Sequence, residues 1–465
     1  MAIDRRDLLK LTFLTAAGAA LPAQASSRHR KRRRRYLQPP LVRKLEAALL
    51  PPVTKPRIVI VGGGFGGLTV AKKLKIAYPE AEVAVLDKRE IFMTGPMYNL
   101  MLGGIDRVTL GTLVHDRMIP AAKYGYRYFT TEVIDIDRVH KQVYTTRGII
   151  DYTFLVLSPG IAYDYEKAFP KWGAEKIVRA KAEAPAALIP GQEFLTLLQQ
   201  LKNVREGNIV VTVPMGKYRC PPAPYERACM FANYIRHHKL KSKVILIDSY
   251  DRPVSKTPAF EEAFKEVYPD IIEYYPSSIV TDVDFDNKTI AFDYWGPGSG
   301  DDGTPKKLSY ALLNLIPNNR GSDVIKMARI KTLPWGSAVL KPPSYQSVTD
   351  EDIYVIGDCA GYDVFPESGQ MANSMGTICA QHIAWRLQKK PFDPAKDMPG
   401  NICISMIQSD PDRAISESHA ITYVNGRFKV EGYIPFDTST QQYRSPLIAE
   451  MLFDWYDGIM EDIFG

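Results

Sequence analysis

A run of glycines near residue 60 constrains the fold more than any other segment. Gly62-Gly63-Gly64-Phe65-Gly66-Gly67 directly follows the β-branched run 57–61, which predicts a buried parallel strand. Gly62, Gly64 and Gly67 occupy the positions of a GxGxxG turn. They allow a tight turn, close approach of the backbone to a pyrophosphate, and packing of helix on strand. A helix is predicted over 68–76, with its N-terminal amides facing the phosphates.

Three further strand ends carry matching signals. The apolar run 82–86 ends at Asp87, where a carboxylate accepts hydrogen bonds from adenosine ribose hydroxyls. The run 152–157 leads into Ser158-Pro159-Gly160, and the run 352–356 leads into Gly357-Asp358. This order resembles the two-dinucleotide-binding-domain flavoproteins, the glutathione-reductase-like class, and it predicts an α/β fold.

The resemblance to that class implies FAD. In that class, the aspartate of a Gly-Asp pair late in the chain binds the ribityl chain of FAD, and Gly357 and Asp358 match this pair. The helix that follows the pair points its N-terminus at the flavin. The predicted FAD contacts are Gly62, Gly64, Phe65, Gly66, Gly67, Asp87, Lys88, Val133, Ser158, Pro159, Gly160, Gly357, Asp358, Ser368 and Gly369.

The middle of the chain keeps a second nucleotide-binding pattern in degenerate form. Strand 208–213 is followed by a loop that lacks two of the three glycines, and Pro221-Pro222 would block a phosphate-cradling turn. The next strand still ends at an acid, Asp248. We therefore expect the NAD-like fold without a working nicotinamide site, and an electron donor other than NAD(P)H.

The cysteines are widely separated. Five occur, at 220, 229, 359, 379 and 403, and none forms CxxC or CxxCH. Zinc ribbons, iron–sulfur clusters and covalently attached haem are therefore not predicted, and no metal site is expected.

The most specific string is 219–228, Arg-Cys-Pro-Pro-Ala-Pro-Tyr-Glu-Arg-Ala. It resembles the cysteine segment of the flavoprotein subunit of flavocytochrome c sulfide dehydrogenase, within the sulfide:quinone reductase-like family. The stretches 314–317, 368–374 and 401–405 agree with that family in order and spacing. The resemblance extends from about residue 56 to the C-terminus.

The resemblance implies a function and a site. Cys220 and Cys403 match the redox-active disulfide beside the flavin, and Glu226 matches a glutamate that could move a proton. Sulfide would be oxidised to sulfur or polysulfide, and electrons would pass to a separate c-type cytochrome subunit that carries the haem. For Glu226 a helix N-terminal acid, favoured by the helix dipole, is an equal alternative.

Two positions depart from the family pattern. Gly95 falls where many members attach FAD through a cysteine, so FAD is predicted to bind non-covalently. Glu367 stands where the family often has lysine, which would leave less positive charge near the flavin.

Two other functions remain open. A sulfide:quinone reductase would use a membrane acceptor, but the last helix carries five acidic residues, which anionic lipid headgroups repel. A non-catalytic electron-relay flavoprotein would contain the cysteines only as a structural disulfide.

The N-terminus predicts export. Arg5-Arg6 precedes the weakly apolar stretch 11–21 and the small residues of 21–25, a pattern that resembles a twin-arginine signal for the periplasm. The chain has a net charge of +7. Residues 28–35 contribute +7 and the predicted signal contributes +1, so the rest of the chain has a net charge near −1. This balance gives no indication of nucleic-acid binding, and no run of apolar residues predicts a transmembrane span.

The predicted organisation has five parts. These are a signal peptide at 1–25, a basic linker at 26–55, an FAD-binding domain at 56–168 and 319–393, a degenerate NAD(P)-binding-like domain at 169–318, and a C-terminal interface domain at 394–465.

Overall fold

The β-branched runs predicted as strands lie side by side in one sheet. The computed structural model describes residues 47–391 and 393–465. Five parallel strands form this first sheet, in the order Ile353–Val355, Phe154–Leu157, Arg57–Val61, Glu82–Asp87 and Arg127–Thr130. The strand of the glycine loop is buried along its whole length, as expected for a parallel sheet covered on both faces.

Two long helices pack together over this sheet. Phe65–Ala77 begins three residues before the predicted start, because Phe65, Gly66 and Gly67 form its first turn. Its partner, Gly369–Leu387, begins after Ser368, whose hydroxyl accepts a hydrogen bond from the Met371 N–H and so caps the helix.

A second parallel sheet forms the middle of the molecule. Its strand order is Ile272–Tyr275, Lys241–Asp248, Glu206–Val213 and Leu312–Asn314. Helix Ala223–His238 packs against it with most of its residues buried. Two such sheets confirm the predicted two-dinucleotide-binding-domain α/β fold.

Small antiparallel elements complete these two parts. Three-stranded sheets are formed by Val133–Asp137, Gln142–Thr145 and Gly148–Asp151, and by Ser278–Asp284, Thr289–Tyr294 and Thr304–Ser309. Two-stranded pairs join Ile91–Met93 with Val114–Asp116, and Ile161–Asp164 with Asn318–Gly321. The shorter helices are Tyr98–Leu102, Leu110–Leu113, Met118–Tyr124, Tyr165–Ala168, Ala174–Glu183, Gln192–Asn203, Thr257–Glu262, the π-helix Ala263–Val267, Asp323–Met327, and the 3₁₀ turns Gly357–Cys359 and Pro394–Lys396.

The C-terminal part is an antiparallel sheet followed by a helix. Its strands are Asn401–Gln408, Arg413–Val424 and Arg427–Tyr433, and its helix is Pro446–Phe464. The first of these strands packs against helix Ala223–His238. The sheet therefore brings residues near 403 to the start of the helix that follows Cys220.

The predicted signal peptide, residues 1–25, and most of the predicted linker lie outside the described residues. The end of the linker is ordered against the first domain. The Leu49 N–H donates to the Ile149 carbonyl at 2.7 Å, and Leu50 is buried. The exact domain borders stay a prediction. No helix in the described part of the chain is long and apolar enough to cross a membrane.

Gly67→Ala should unfold or strongly destabilise the protein, whereas Gly64→Ala should not. A Cβ at Gly67 would lie 1.9 Å from the Gly62 carbonyl oxygen, while one at Gly64 meets nothing within 4 Å. We expect Gly67→Ala to lose at least ~2 kcal/mol of unfolding free energy, as overpacked cores do. Gly64→Ala should stay within about 0.5 kcal/mol of wild type. Denaturant unfolding measures both, and equal stability of the two variants would contradict this account of the loop.

Candidate active site

The glycine loop makes a cradle of bare backbone. Gly62 has φ +107°, and a Cβ there would lie 2.1 Å from the Ser158 carbonyl oxygen. A Cβ at Gly66 would lie 3.0 Å from the Ala372 carbonyl oxygen. Only glycine fits at Gly62, and a Cβ at Gly66 would be tightly packed, so the loop, the Ser158 turn and the second long helix approach each other closely. This close approach leaves backbone available to a bound phosphate.

Asp87 organises the nucleotide end of the cleft. Its carboxylate accepts hydrogen bonds from the N–H groups of Gly63, at 2.7 Å, and Arg89, at 2.8 Å. Burial alone would raise the pKa of Asp87, but the charges of Arg89 and Arg117 and the two N–H groups outweigh burial, so the pKa lies below its usual range. Asp87 is therefore held as a carboxylate.

Most of the predicted FAD contacts line one cleft. The lining includes Gly62, Gly64, Phe65, Gly66, Ser158, Pro159, Gly160, Gly357, Asp358 and Gly369. Ser368 lines the adjoining cavity, and Gly67 lies beneath the loop against Gly62. Asp87, Lys88 and Val133 do not line either cavity, although Asp87 accepts a hydrogen bond from the Gly63 N–H of the loop. The ammonium of Lys88 lies 4.0 Å from Glu132, and Val133 is buried.

The cleft has the chemistry that FAD requires. Glycine backbone, the cations Arg89 and Arg117, and a helix N-terminus at Gly369 surround it. Arg117 is fully buried, and its Nε donates to the Gly63 carbonyl at 3.0 Å. Phosphates bind well to such positive, backbone-lined sites, so the residues present fit the dinucleotide. Sequence reasoning missed both arginines, which lie outside the glycine pattern.

Arg219 joins this cleft to a second cavity. Its Nε lies 3.0 Å from an Asp358 carboxylate oxygen, and its side chain lines both spaces. Arg219 directly precedes Cys220. Arg219 therefore connects the two predicted groups: its side chain contacts the flavin aspartate Asp358, and its backbone continues into the reactive cysteine Cys220.

The second cavity contains both predicted reactive cysteines. Cys220 and Cys403 line it, although 183 residues separate them in the sequence. The Cys220 thiol donates a hydrogen bond to Cys403. Both are free thiols in this structure. Cys220 has φ +55°, and its N–H donates to the Glu367 carbonyl at 3.1 Å. Such a left-handed backbone is uncommon outside glycine and marks a constrained position.

The two thiols have opposite acidity. The hydrogen bond to Cys403 and burial raise the pKa of Cys220 well above its usual value. The hydrogen bond from Cys220, together with the Lys256 ammonium, outweighs burial and lowers the pKa of Cys403 to about 6. Cys403 is therefore the thiolate of the pair near neutral pH.

Glu226 is buried at the same cavity. One carboxylate oxygen accepts from the Asn99 side-chain amide and the other from the Met406 N–H, each at 2.9 Å. Burial raises the pKa of Glu226 to about 7 despite these hydrogen bonds. A carboxyl with that pKa can take up and release a proton near neutrality. Glu226 also lies in the first turn of helix Ala223–His238, so its position agrees both with proton transfer and with a helix N-terminal acid favoured by the dipole.

Lys256 was not identified from sequence. Its ammonium lies 3.3 Å from Cys403 Sγ, and its side chain is buried. It lies in a loop eight residues after Asp248, and no spacing rule connects it to either cysteine. Asn99 was also missed, since a single asparagine in an apolar helix gives no functional signal.

The three remaining cysteines, 229, 359 and 379, are fully buried, as packing residues are. The Cys359 thiol donates to the Gly160 carbonyl at 2.6 Å, below the flavin cleft. Within 47–391 and 393–465, no cluster of His, Cys, Asp or Glu could hold a metal ion.

The middle domain has no free ribose-binding acid. Asp248 is fully buried and accepts hydrogen bonds from the hydroxyls of Tyr225, at 2.9 Å, and Tyr274, at 2.8 Å. Burial raises the pKa of Asp248 to about 6. The two tyrosine hydroxyls already bind the carboxylate that would accept hydrogen bonds from the ribose of a nicotinamide nucleotide, which supports the predicted loss of that site.

The two departures from the family pattern lie at the cysteine cavity. Gly95 lines it, and a Cβ there would have its nearest neighbour, Pro190, at 3.8 Å. Space is therefore present, but no thiol. The carboxylate of Glu367 lies 2.8 Å from the Lys217 ammonium, and burial raises its pKa to about 7.

Comparison with known proteins identifies related sequences. A family model described as "Sulfide dehydrogenase (flavocytochrome c) flavoprotein chain, central" matches residues 195–300. The mitochondrial sulfide:quinone oxidoreductase of Dictyostelium discoideum is 21% identical over 454 residues, 95% of this chain and 94% of that protein. The mitochondrial sulfide:quinone oxidoreductase of Mus musculus is 21% identical over 333 residues, 69% of each.

Solved structures share the fold. The sulfide:quinone oxidoreductase of Aquifex aeolicus aligns with a TM-score of 0.68 at 15% identity, over 88% of this chain and 92% of that one. A NAD-dependent persulfide reductase from A. fulgidus aligns with a TM-score of 0.59 at 17% identity, over 78% of this chain and 64% of that one. The chain therefore has the two-dinucleotide-binding-domain fold, and its sequence is similar to flavoproteins of the sulfide dehydrogenase and sulfide:quinone oxidoreductase-like family.

Proposed function

We propose that this protein is an FAD-dependent oxidoreductase that oxidises sulfide, or a related small sulfur compound, to sulfur or polysulfide. The observation that carries the proposal is the hydrogen-bonded pair Cys220 and Cys403, which lies one side chain from Asp358 at the flavin cleft. The pair would cycle between the dithiol and a disulfide. Bound FAD would supply the two-electron acceptor for each turnover.

The roles of the protein side chains follow from their positions. In the oxidised pair, hydrosulfide attacks Cys220 Sγ, forming a persulfide and releasing Cys403 as a thiolate. Glu226 lines the same cavity, and its pKa of about 7 suits it to hold the persulfide proton. Asn99 and the Met406 N–H keep its carboxylate in place.

We also propose that electrons leave the flavin to a c-type cytochrome subunit, and that the chain is exported to the periplasm by the twin-arginine pathway. The name of the matching family model supports the cytochrome. The exposed acids Glu450, Asp454, Asp457 and Glu461 on the last helix also support a protein partner, because anionic lipid surfaces repel them. Quinone is the second candidate, because the curated relatives are named sulfide:quinone oxidoreductases.

The acceptor can be identified by steady-state assays with sulfide as donor. We expect the purified protein to reduce a soluble c-type cytochrome faster than a short-chain ubiquinone analogue, with rates that fall as salt screens the acidic helix. A reversed preference, independent of salt, would replace the cytochrome with quinone.

Cys220→Ser and Cys403→Ser should each abolish reduction of the flavin by sulfide while FAD stays bound. Each removes one sulfur of the exchanging pair, and neither lies in the glycine cradle. Cys229→Ser is the matched control: it puts a hydroxyl into the core, costs roughly 1–3 kcal/mol of stability, and keeps the reaction. Anaerobic sulfide titration of flavin absorbance measures all three. Normal reduction in either active-site variant would favour an electron-relay flavoprotein with a merely structural pair.

Asp358→Ala should lose most of its FAD, while Asp248→Asn should keep wild-type flavin content. Only Asp358 lines the flavin cleft, whereas Asp248 binds two tyrosine hydroxyls in the middle domain. Acid precipitation followed by absorbance of the supernatant measures FAD per chain. The same step should release all flavin from wild type, because Gly95 offers no thiol for attachment. Flavin that remains in the pellet, or equal loss in both variants, would contradict these expectations.

A further inference from the structure

The position of Lys256 is unusual for a lysine. Its side chain is 1% exposed, and its ammonium lies 3.3 Å from Cys403 Sγ and 3.0 Å from Ser405 Oγ. Cys403 and Ser405 are two apart on one strand, so they share a face. The Lys256 backbone has φ +52°, in the left-handed region that lysine rarely adopts. The residue whose ammonium contacts the Cys403 sulfur therefore has an unfavourable backbone conformation.

A buried ammonium requires an anion or several acceptors nearby. In the part of the chain that the structure describes, no carboxylate oxygen lies within 4.0 Å of the Lys256 ammonium. Glu417, opposite Cys403 in the sheet, accepts instead from the Ser255 hydroxyl at 2.7 Å and lies 3.6 Å from His419. The group in direct contact with the ammonium that can carry a compensating negative charge is the Cys403 sulfur, while the buried Glu226 carboxyl interacts with Lys256 at longer range.

We propose that Lys256 is a catalytic residue that stabilises the Cys403 thiolate when that sulfur leaves the disulfide. The proposal deepens the proposed function and rests on it for the identity of the attacking group. Hydrosulfide forms a new S–S bond to Cys220 Sγ as the bond between Cys220 and Cys403 breaks. The bonding electron pair stays on Cys403 Sγ, so one negative charge is present before and after the step.

The reason for this polarity is leaving-group stability. Thiol–disulfide exchange is faster when the leaving thiol has a low pKa, and a cation at 3.3 Å stabilises the departing charge. No carboxylate oxygen of the described residues lies within 4.0 Å of that ammonium, so the Cys403 sulfur is the ionisable group in direct contact with it. The pKa of Cys403, lowered to about 6, and the raised pKa of Cys220 agree with the same assignment.

Other charged groups around the pair do not supply this stabilisation. The carboxyls Glu226 and Glu417 would disfavour a thiolate on Cys220 and Cys403, respectively. Arg219 is paired with Asp358, and the Arg227 guanidinium is hydrogen-bonded to Asn99, Asn314 and backbone carbonyls. Lys256 is the cation that contacts Cys403.

The test measures thiolate formation directly, without sulfide. The full-length, FAD-loaded protein is reduced with a dithiol, freed of it, and alkylated with iodoacetamide across a pH series, with Cys403 followed by peptide mass spectrometry. We expect half-maximal reactivity near pH 6 in wild type. Lys256→Met should raise the pH of half-maximal reactivity by about one unit or more and lower alkylation at pH 7 about twofold or more, since the hydrogen bond from Cys220 remains. Lys256→Arg should retain most of the wild-type profile, because it keeps the charge.

Lys265→Met is the matched control. Lys265 is exposed in the π-helix Ala263–Val267, nine residues after Lys256, and its substitution should leave the alkylation profile of Cys403 unchanged. An unchanged profile in Lys256→Met would overturn the proposal, as would half-maximal reactivity near pH 8.5 in wild type. If Lys256→Met fails to fold, Lys256→Gln replaces it, and an unchanged profile in that variant overturns the proposal in the same way. A wild type with the expected profile but no reduction by sulfide would refute the proposed function and leave the lysine–thiolate pair standing.

Discussion

The guanidinium of Arg227 connects the parts of the molecule that build the site. It is buried and donates four hydrogen bonds, to the side chains of Asn99 and Asn314 and to the carbonyls of Ala186 and Ala187. These partners belong to a helix of the first domain, a strand of the second and the segment between them. Breaking such a buried charged network costs about 3–5 kcal/mol, so the helix that carries Arg227 has one orientation.

That orientation determines the geometry of the chemistry. Cys220 lies just before the helix, and Glu226 is the neighbour of Arg227 on it. Asn99 joins the acid and the cation, because its carbonyl accepts from Arg227 while its amide donates to Glu226. The first strand of the C-terminal sheet packs on the same helix and brings Cys403 against Cys220. A reactive pair assembled from two distant segments thus depends on a network that contains neither sulfur.

Local signals predicted the nucleotide half of the site well. The glycine loop, Asp87 and the Gly357-Asp358 turn each need a particular backbone conformation or strand end, and such requirements are visible in a short string of residues. Helix Phe65–Ala77 began earlier than its apolar pattern indicated, since its first turn is formed by glycines of the loop itself. The cysteine pair was predicted through resemblance of two strings to a family, because no rule of spacing relates positions so far apart.

By itself, the sequence determined the two-dinucleotide-binding-domain fold, which follows from periodicity and glycine positions. It also predicted the flavin cleft and the two cysteines, through strings that resemble those of a family. Only the tertiary structure decided the electrostatics. It brought the Lys256 ammonium into contact with Cys403 and paired Arg219 with Asp358. It also hydrogen-bonded two tyrosine hydroxyls to Asp248. The physical reason is that the charge on a buried group depends on neighbours from other elements, and a linear chain does not show which side chains become neighbours.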